Sequence, residues 1–297
     1  MTPSAPARPS AFLEEGRALV DVALEGALPP LGTPPATLHE AMRYTLLLPG
    51  KRLRGVVVLA ACEMLRGARE DAVPLAVAVE MVHASSLILD DLPSMDNATL
   101  RRGKASLHRV YGEANAILAA IGLLNEAFAQ IQSAAALKDR GKREASACLA
   151  AAIGSSGLIG GQFADLEATG RRLDLDALEY IHAHKTGALF IAAAELGAVA
   201  AQGRARDVEA LRRYAKNLGL AFQITDDLLD YSGDPATTGK DAGLDRNRTT
   251  FANVAGIDGA RRLTDELCQT AISALEPFGK RAAVLAGLAD MVRDRDR

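Results

Sequence analysis

The stretch "AVPLAVAVEMVHASSLILDD", residues 72–91, carries apolar side chains on nearly every face until it reaches Asp90 and Asp91. A helix that is apolar all round is typical of the centre of a helical bundle. Carboxylates at a helix C-terminus oppose the macrodipole, so stability alone does not favour two aspartates at this position. The stretch therefore predicts a buried central helix whose acidic end binds a cation.

The rest of the chain also has a helical pattern. "LHEAMRYTLLL" (38–48) repeats apolar residues at steps of three and four, and "EANAILAAIGLLNEAFAQI" (113–131) and "GALFIAAAELGAVAA" (187–201) look as buried as the first stretch. We predict an all-α protein, with a single domain of about ten helices over residues 11–297. Residues 1–10 are rich in Pro, Ala and Ser, and they are predicted to be disordered.

The bulk composition limits the classes of partner. A net charge of -3 gives no argument for nucleic acid or for an anionic membrane. No uninterrupted apolar stretch reaches the ~18 residues of a membrane span, and the first residues lack the pattern of a secretory signal. Cys62, Cys148 and Cys268 are odd in number and have no metal-type spacing, which fits a reduced compartment. We expect a cytoplasmic protein without stable membrane insertion.

Two acidic motifs end apolar helices. In "LILDDLPSMD" (87–96), Pro93 ends or kinks the helix, so that Asp96 returns toward Asp90 and Asp91. "FQITDDLLD" (222–230) repeats the arrangement more than 100 residues later, with Asp226, Asp227 and Asp230. Two such ends predict two acidic walls that face one cavity. Their six aspartates are the candidate metal ligands.

Oxygen donors with no nearby Cys or His favour a hard cation, and Mg²⁺ is the best match. Such sites usually complete the coordination of the ion with substrate phosphates. We therefore predict several Mg²⁺ ions, for which Mn²⁺ substitutes, bound together with a phosphorylated substrate.

Cations follow the apolar and acidic segments, and together with Mg²⁺ they predict a diphosphate substrate. They are Lys51, Arg52, Arg54, Arg101, Arg102, Lys104, Lys185, Lys240 and Arg248. His83 lies seven residues before Asp90, about two helical turns. It is either a core residue with its hydrogen bonds satisfied or a donor to the anion.

The motifs, in this order, resemble the trans-isoprenyl diphosphate synthases of the polyprenyl synthetase family. The matching segments are "GKRLR" (50–54), "HASSLILDDLPSMD" (83–96), "LRRGK" (100–104), "GGQFADL" (160–166), "HKTGAL" (184–189) and "FQITDDLLD" (222–230). The resemblance implies the isoprenoid synthase fold, a large helical bundle around a central cavity. It also implies a homodimer, isopentenyl diphosphate and an allylic diphosphate as substrates, and Mg²⁺ on the latter.

The resemblance assigns roles residue by residue. The six aspartates match the metal ligands and, with Lys185, the catalytic set. Lys51, Arg54, His83 and Arg102 match the binders of isopentenyl diphosphate. Arg101, Lys185, Thr186, Gln223 and Lys240 match the lining of the allylic site. The chain departs from the family at four places. Gly55 replaces Pro, Ala120 and Ile121 replace Gly-Asp, and Arg248 replaces Lys. The acidic run that often continues in the family ends here at Asp96.

The implied reaction is a head-to-tail condensation, with the Gly-containing segment 232–247 as a lid. In the family, a bulky aromatic four or five residues before the first aspartate closes the tunnel at fifteen carbons. Ser86 and Ser85 are small and are followed one turn back by Val82 and Met81, which favours the C20 product geranylgeranyl diphosphate unless the helix near Ile121 supplies the floor. "AILAAIGLL" (116–124) resembles carotenoid-pathway enzymes.

Three alternatives remain open: a C15 farnesyl diphosphate synthase, a terpene cyclase, and a non-catalytic partner subunit of a prenyl synthase. A cyclase needs no second diphosphate site, and a partner subunit could lose its aspartates without cost. The cyclase is disfavoured by the set Lys51, Arg54, His83 and Arg102, and the partner subunit is disfavoured by the six intact aspartates.

Overall fold

The computed structural model describes residues 9–232 and 249–295, and these residues are almost wholly helical. They form fourteen α-helices: α1 (Pro9–Gly26), α2 (Ala36–Leu46), α3 (Leu53–Met64), α4 (Val73–Asp90), α5 (Leu107–Tyr111), α6 (Glu113–Ser133), α7 (Asp139–Ile153), α8 (Leu158–Ala168), α9 (Leu175–His182), α10 (Ala188–Ala200), α11 (Ala205–Ser232), α12 (Phe251–Ala255), α13 (Ile257–Ala274) and α14 (Ala283–Arg293). Short 3₁₀ turns precede α4 and α14.

The stretch quoted first forms α4, and the prediction of a buried helix that ends at Asp90 is confirmed. This helix packs against α1, α3, α6 and α10. Leu75, Val79 and Met81 on α4 are fully buried. The main hydrophobic core extends from Phe12 on α1 to Val292 on α14, so both ends of the described chain pack on one core.

The described helices outnumber the ten predicted because short interruptions divide longer apolar segments. Gly112 separates α5 from α6 and Gly256 separates α12 from α13, both at a positive φ that suits glycine. A π-helical turn, Ala183–Gly187, joins α9 to α10. At the N-terminus, residues 1–8 lie outside the described residues. Pro9 and Ser10, which the sequence analysis included in the predicted disordered segment, belong to α1.

One element is not helical: a two-stranded antiparallel hairpin that pairs Leu100–Arg101 with Lys104–Ala105. The two residues of its turn, Arg102 and Gly103, both have a positive φ, at 53° and 75°. Two successive residues with positive φ are typical of a tight hairpin turn whose twist matches that of its strands. The "LRRGK" motif therefore forms a tight hairpin beside the end of α4.

Three helical stretches are long and apolar enough to cross a membrane by length and composition alone: Arg69–Asp90, Glu113–Ser133 and Asp139–Ala168. The sequence analysis found no membrane span because it considered only uninterrupted apolar runs. The three stretches qualify by their average hydropathy, which tolerates single polar residues. The first stretch is 67% buried inside the protein, but the second is only 33% buried and the third 28%. The single chain therefore leaves apolar surface uncovered on α6 and on the α7–α8 segment.

Candidate active site

The first acidic motif forms a tight loop at the end of α4. The backbone N–H of Asp96 donates to the carbonyl oxygen of Asp90 at 2.9 Å. Asp96 therefore returns over the helix end, as predicted from the position of Pro93. Asp91 is buried in an ion pair with Arg101 of the hairpin, whose Nε donates to Asp91 Oδ1 at 3.0 Å. The hairpin and the acidic loop are therefore joined by a charged contact.

The second acidic motif occupies the last two turns of α11. Asp227 accepts a hydrogen bond from Gln223 Nε2 at 3.1 Å and another from the backbone N–H of Phe251 at 3.1 Å. Gln223 in turn accepts from Thr186 Oγ1 at 3.0 Å. The two predicted allylic-site residues, Thr186 and Gln223, thus connect the π-helical turn to Asp227. Asp227 also anchors the start of α12, in addition to its predicted role as a ligand.

The carboxylates of both motifs are electrostatically costly. Burial raises the pKa of Asp90 to about 6, and the negative charge of Asp96 acts in the same direction, against the positive charge of Lys185. Burial likewise raises the pKa of Asp227 to about 6, although its two hydrogen bonds oppose the shift. A buried anion gains most from an adjacent cation. Both acidic motifs are therefore suited to bind positive charge.

The donors around the motifs fit magnesium that is held jointly with a substrate. Within residues 9–232 and 249–295, no three His, Cys, Asp or Glu side chains form a complete metal site by themselves. The side-chain oxygen of Gln162 is buried without a hydrogen-bond partner, and its Nε2 lies 3.7 Å from Sδ of Met95 in the first acidic loop. Mg²⁺ is usually held by one or two carboxylates plus substrate phosphates. The carboxylate and amide oxygens present here match that preference.

Lys185 lies in the π-helical turn, an irregularity that often occurs at functional sites. Its Nζ donates to Asp165 Oδ2 on α8 at 2.7 Å, and its charge acts on Asp90. Gly161 allows α8 to approach this turn, because a Cβ at position 161 would lie 2.2 Å from the backbone nitrogen of Lys185. Helix α8 therefore positions Lys185 by an ion pair and by direct backbone contact.

A separate pocket lies between α2, α4 and the hairpin. Its polar lining consists of Thr45, Arg52, Glu80, His83, Arg101 and Arg102. The Arg102 guanidinium lies against Gly50, where a Cβ would be 2.7 Å from its Nη1. The structure thus brings His83 and Arg102, both of which were predicted from the sequence, together in one cationic pocket beside the acidic motifs.

His83 is neutral in this pocket. Burial lowers its pKa well below the usual value, and the positive charges of Arg54 and Arg102 lower it further. A neutral imidazole has one N–H donor and one acceptor. His83 can therefore offer a hydrogen bond to an anion but no positive charge, which the arginines supply.

Arg54 connects this pocket to the second acidic motif. Its guanidinium stacks over the Phe190 ring, with Cζ 4.7 Å from the centroid, and its Nε is buried without a hydrogen-bond partner. Burial lowers its pKa to about 10, with Glu80 and Asp226 acting in the opposite direction. A buried charged donor without a partner favours an incoming anion.

The departure from the family at Gly55 has a structural explanation. The backbone N–H of Gly55 donates to Glu80 Oε1 at 2.9 Å, and Glu80 is buried. Proline has no N–H and could not make this bond. In this chain, Glu80 of α4 is therefore attached to the first turn of α3, next to Arg54.

An aromatic pair lies beneath two cations next to the second motif. The rings of Phe190 and Phe222 have centroids 5.5 Å apart, and Arg295 lies over Phe222 at 5.3 Å. Arg295 Nη1 also donates to Asp226 Oδ1 at 2.5 Å. Burial and the charge of Arg295 lower the pKa of Lys51, while Asp226 acts to raise it. Lys51, Asp226 and Arg295 are therefore neighbours.

Some residues predicted for the site either lie outside the described part of the chain or do not face the site. Lys240, Arg248 and residues 233–247 of the predicted lid lie outside the described residues, and Ser232 is the last described residue of α11. Ile121 is 56% exposed on α6, so it cannot supply a tunnel floor within this chain.

Sequence reasoning missed several residues of the site, including Thr45 in the lining of the cationic pocket. Gln162 and Asp165 lie within the quoted "GGQFADL" motif, which could have indicated them. Glu80 is a charged residue inside an apolar helix, which is a further signal. Arg295 is 69 residues from its partner Asp226, and no local pattern announces that contact.

Comparisons with known proteins agree with this geometry. A sequence model of the polyprenyl synthetase family matches residues 35–287. The chloroplastic geranylgeranyl pyrophosphate synthase of Capsicum annuum is 44% identical over 290 residues, which cover 96% of this chain and 78% of that protein.

Solved structures show the same fold. The apo FPP/GFPP synthase of Zymomonas mobilis is 34% identical with a TM-score of 0.87, over 96% of this chain and 98% of that one. The geranyltransferase of Helicobacter pylori, complexed with magnesium and isoprenyl diphosphate, is 29% identical with a TM-score of 0.88, over 98% of this chain and 99% of that one. The all-α isoprenoid synthase fold is confirmed, and the chain belongs to the polyprenyl synthetase family.

Proposed function

We propose that this protein is a Mg²⁺-dependent trans-prenyltransferase that condenses isopentenyl diphosphate with allylic diphosphates and releases geranylgeranyl diphosphate. The observation that carries the proposal is the pairing of two acidic helix ends with a separate cationic pocket at His83 and Arg102. We assign one diphosphate to the acidic motifs and a second to the cationic lining of the pocket.

The allylic diphosphate is assigned to the space between the acidic motifs. Asp90, Asp91, Asp96, Asp226 and Asp230 would hold Mg²⁺, with Asp227 as a ligand or as the anchor of α12. When bound, Mg²⁺ would neutralise the departing diphosphate as a Lewis acid. Lys185 and Arg101 bind the same diphosphate and stabilise its charge as the carbon–oxygen bond breaks. Thr186 and Gln223 orient it, and Lys240 is proposed for the same role.

The second substrate is assigned to the cationic pocket. Lys51, Arg54, Arg102 and His83 hold isopentenyl diphosphate so that its double bond attacks the allylic carbocation, and this orientation contributes much of the rate. Apolar residues of α4 and the Phe190–Phe222 pair exclude water from the cation. As the new carbon–carbon bond forms, a proton is lost to the departing diphosphate.

The proposal is tested by incubating the purified chain with labelled isopentenyl diphosphate, MgCl₂ and each allylic primer, followed by sizing of the products. Condensation by the purified chain alone supports a synthase over a partner subunit. Turnover of an allylic diphosphate without isopentenyl diphosphate would indicate a terpene cyclase. A chain that is inactive alone but activates a true synthase would indicate the partner subunit.

His83→Ala is expected to raise the KM for isopentenyl diphosphate by about 10- to 100-fold. The reason is that a hydrogen bond to a charged group contributes about 1.5–3 kcal/mol. The KM for the allylic primer should change little, because His83 lines only the second pocket among those described. Steady-state kinetics in both substrates measures the difference, and His83→Gln, which keeps an N–H donor, serves as the control. An equal rise for both substrates would make His83 a core residue.

We infer the product length from the size of the side chains that precede Asp90 on α4. Ser86 and Val82 lie four and eight residues before Asp90 and share its helix face. Ser86 is half-buried, whereas Ser85 is buried and donates to the carbonyl oxygen of Ala120 on α6 at 2.8 Å. Each helical turn adds roughly 5 Å of depth, on the order of one isoprene unit. Small side chains at 85 and 86 support a product longer than C15.

Ser86→Phe is expected to shorten the product from C20 to C15, because an aromatic ring one turn below Asp90 blocks chain growth. Ser85→Tyr is expected to act in the same direction, but it must also displace the hydrogen bond to α6. Product sizing with excess isopentenyl diphosphate measures the change, with Ser86→Ala as the control that keeps C20. A wild-type product of C15, or one beyond C25, would place the floor elsewhere.

The homodimer and the cytoplasmic location also remain proposals. Ile117, Leu118 and Ile121 leave one face of α6 exposed, at 41%, 53% and 56%, and a second copy of the chain would cover it. The three cysteines are free, which supports a reduced compartment. Use of the C20 product in carotenoid synthesis is proposed on the "AILAAIGLL" resemblance alone.

A further inference from the structure

We propose that Glu80 limits how tightly the cationic pocket retains a diphosphate, and that the backbone N–H of Gly55 keeps the Glu80 carboxylate apart from the arginines. The inference rests on the proposed function, because it takes this pocket as the site of isopentenyl diphosphate. It adds a residue that binds no substrate but sets how readily the product leaves.

Glu80 places a carboxylate inside a site for an anion. It lines the pocket together with His83 and Arg102, and only 3% of its surface is exposed. His83 follows Glu80 by three residues on α4, so the two side chains lie on one helix face. Two negative groups repel each other far more strongly in a dry pocket than in water. Glu80 therefore opposes the diphosphate that its neighbours bind.

Two arginines of the pocket already have carboxylate partners. Arg52 Nε donates to Asp21 Oδ1 at 2.7 Å, and Arg101 pairs with Asp91. These ion pairs connect the pocket to α1 and to the first acidic motif. Glu80 is therefore not needed to balance the charge of either arginine.

The other two arginines, Arg54 and Arg102, have no carboxylate partner within residues 9–232 and 249–295. Nε of Arg54 is buried without a hydrogen-bond partner, and Arg102 Nη1 donates to the Leu48 carbonyl oxygen at the long distance of 3.5 Å. Burial lowers the pKa of both guanidiniums, and the negative charge of Glu80 acts against that shift in each case. Glu80 therefore acts on both cations through space and leaves their donors to an incoming anion.

The first turn of α3 holds the Glu80 carboxylate at this distance. The backbone N–H of Gly55, which has no acceptor within its own helix, donates to Glu80 Oε1 at 2.9 Å. A carboxylate is also stabilised by the positive end of a helix dipole. A Cβ at position 55 would lie 3.3 Å from Cγ of Glu80, so glycine supplies both the donor and the room. The charge of Glu80 is thus stabilised without an ion pair to Arg54 or Arg102.

The chemistry of the condensation gives this arrangement a purpose. The allylic diphosphate departs, whereas the diphosphate of isopentenyl diphosphate stays on the product. Each product therefore begins with its diphosphate in the cationic pocket and must leave it before the next cycle. Arginines without an opposing charge would retain it. Glu80 weakens this retention without the loss of a cation that orients the substrate.

Glu80→Gln tests the effect of the charge, because it keeps the side-chain volume and an oxygen that accepts from Gly55. We expect the Kd for isopentenyl diphosphate, measured by calorimetry of the full chain in metal-free buffer, to fall about tenfold. We expect kcat with an allylic primer and MgCl₂ to fall as well, because the product is retained. Tighter binding with slower turnover is not the result of a damaged fold. Glu63→Gln is the matched control, since Glu63 on α3 pairs with Arg69 and should change neither value.

Gly55→Pro tests the hydrogen bond, because proline has no N–H. The released carboxylate is then expected to pair with Arg54 or Arg102 and to raise the Kd for isopentenyl diphosphate about tenfold. The same substitution in the Glu80→Gln protein should have little effect, because an amide forms no ion pair. This double-mutant cycle separates the path through Glu80 from any other effect of proline. Thermal melting of each variant checks that the fold is intact.

An unchanged or higher Kd in Glu80→Gln would overturn the inference. An equal effect of Gly55→Pro with and without the Glu80 charge would overturn the role of the Gly55 N–H, and a lower Kd with unchanged kcat would overturn the role in product release. Failure of the proposed function is distinct, because it would appear as a wild-type protein that does not condense the two substrates.

Discussion

EDTA treatment is expected to abolish prenyl transfer, and Asp90→Ala and Asp226→Ala are each expected to lower kcat by about 10²–10³-fold or more. Removal of one preorganised electrostatic group has effects of this size. The two residues lie at the ends of two different helices, so each substitution removes a proposed ligand from a different acidic motif. Steady-state turnover measures the loss, and MgCl₂ added after EDTA should restore the wild-type rate.

The same carboxylates are expected to reduce stability. Burial raises the pKa of Asp90 to about 6, above its value in the unfolded chain. The ionised form that predominates at pH 7 therefore opposes folding in the absence of metal, and this cost decreases as the pH falls from about 6 toward the ordinary carboxyl pKa of 3.8. Asp90→Asn should lose activity and yet melt at a higher temperature in metal-free buffer. Full activity after EDTA, or a variant that loses both activity and fold, would contradict the assignment of Asp90 as a ligand.

Gly161→Ala is expected to lower kcat by about 10²-fold, although position 161 contacts no substrate. The added Cβ would lie 2.2 Å from the backbone nitrogen of Lys185, so the π-helical turn or α8 must move. A displacement of about 1 Å at a positioning element is enough for a loss of this size. Kinetics with the allylic primer measures the effect, and circular dichroism checks the helical content.

Gly187→Ala is the matched control for this prediction. It lies in the same π-helical turn, but an added Cβ would lie 3.6 Å from the carbonyl oxygen of His182, an ordinary contact. We expect it to retain most of the activity. Equal losses in both variants would mean that an added methyl group at either glycine impairs activity, so that the close approach of α8 is not the cause. An active Gly161→Ala would show that Lys185 is not positioned by α8.

The sequence predicted those parts of the site that follow from local pattern. The apolar run before Asp90 has the burial expected of a central helix, and Pro93 explains why Asp96 returns over the helix end. His83 and Arg102 share a pocket, and this was predictable because the residue types and their order matched a family with two diphosphate sites. Helix periodicity and motif order therefore carried most of the prediction.

Other parts could not be predicted because they depend on contacts distant in sequence. The hairpin at "LRRGK" requires Arg102 to adopt a positive φ, which arginine rarely does, so its sequence gave only a weak turn signal. The pairing of Arg295 with Asp226 depends on how α14 packs along α11. The exposure of Ile121 depends on which face α6 turns toward α4, and an apolar helix does not encode that choice clearly.

The hairpin turn also sets a fixed separation. Arg101 pairs with Asp91 at the acidic motif, and Arg102, the next residue, lies against Gly50 in the second pocket. Arg101 therefore lies where the two proposed diphosphate sites meet, because it pairs with Asp91 and also lines the pocket that contains Arg102. The distance between the two residues is set by one peptide bond and does not depend on the length of the hydrocarbon. In an iterative synthase, each product returns as the next primer with five more carbons. The reacting ends then meet at one spacing in every cycle, while only the far end of the chain probes new surroundings.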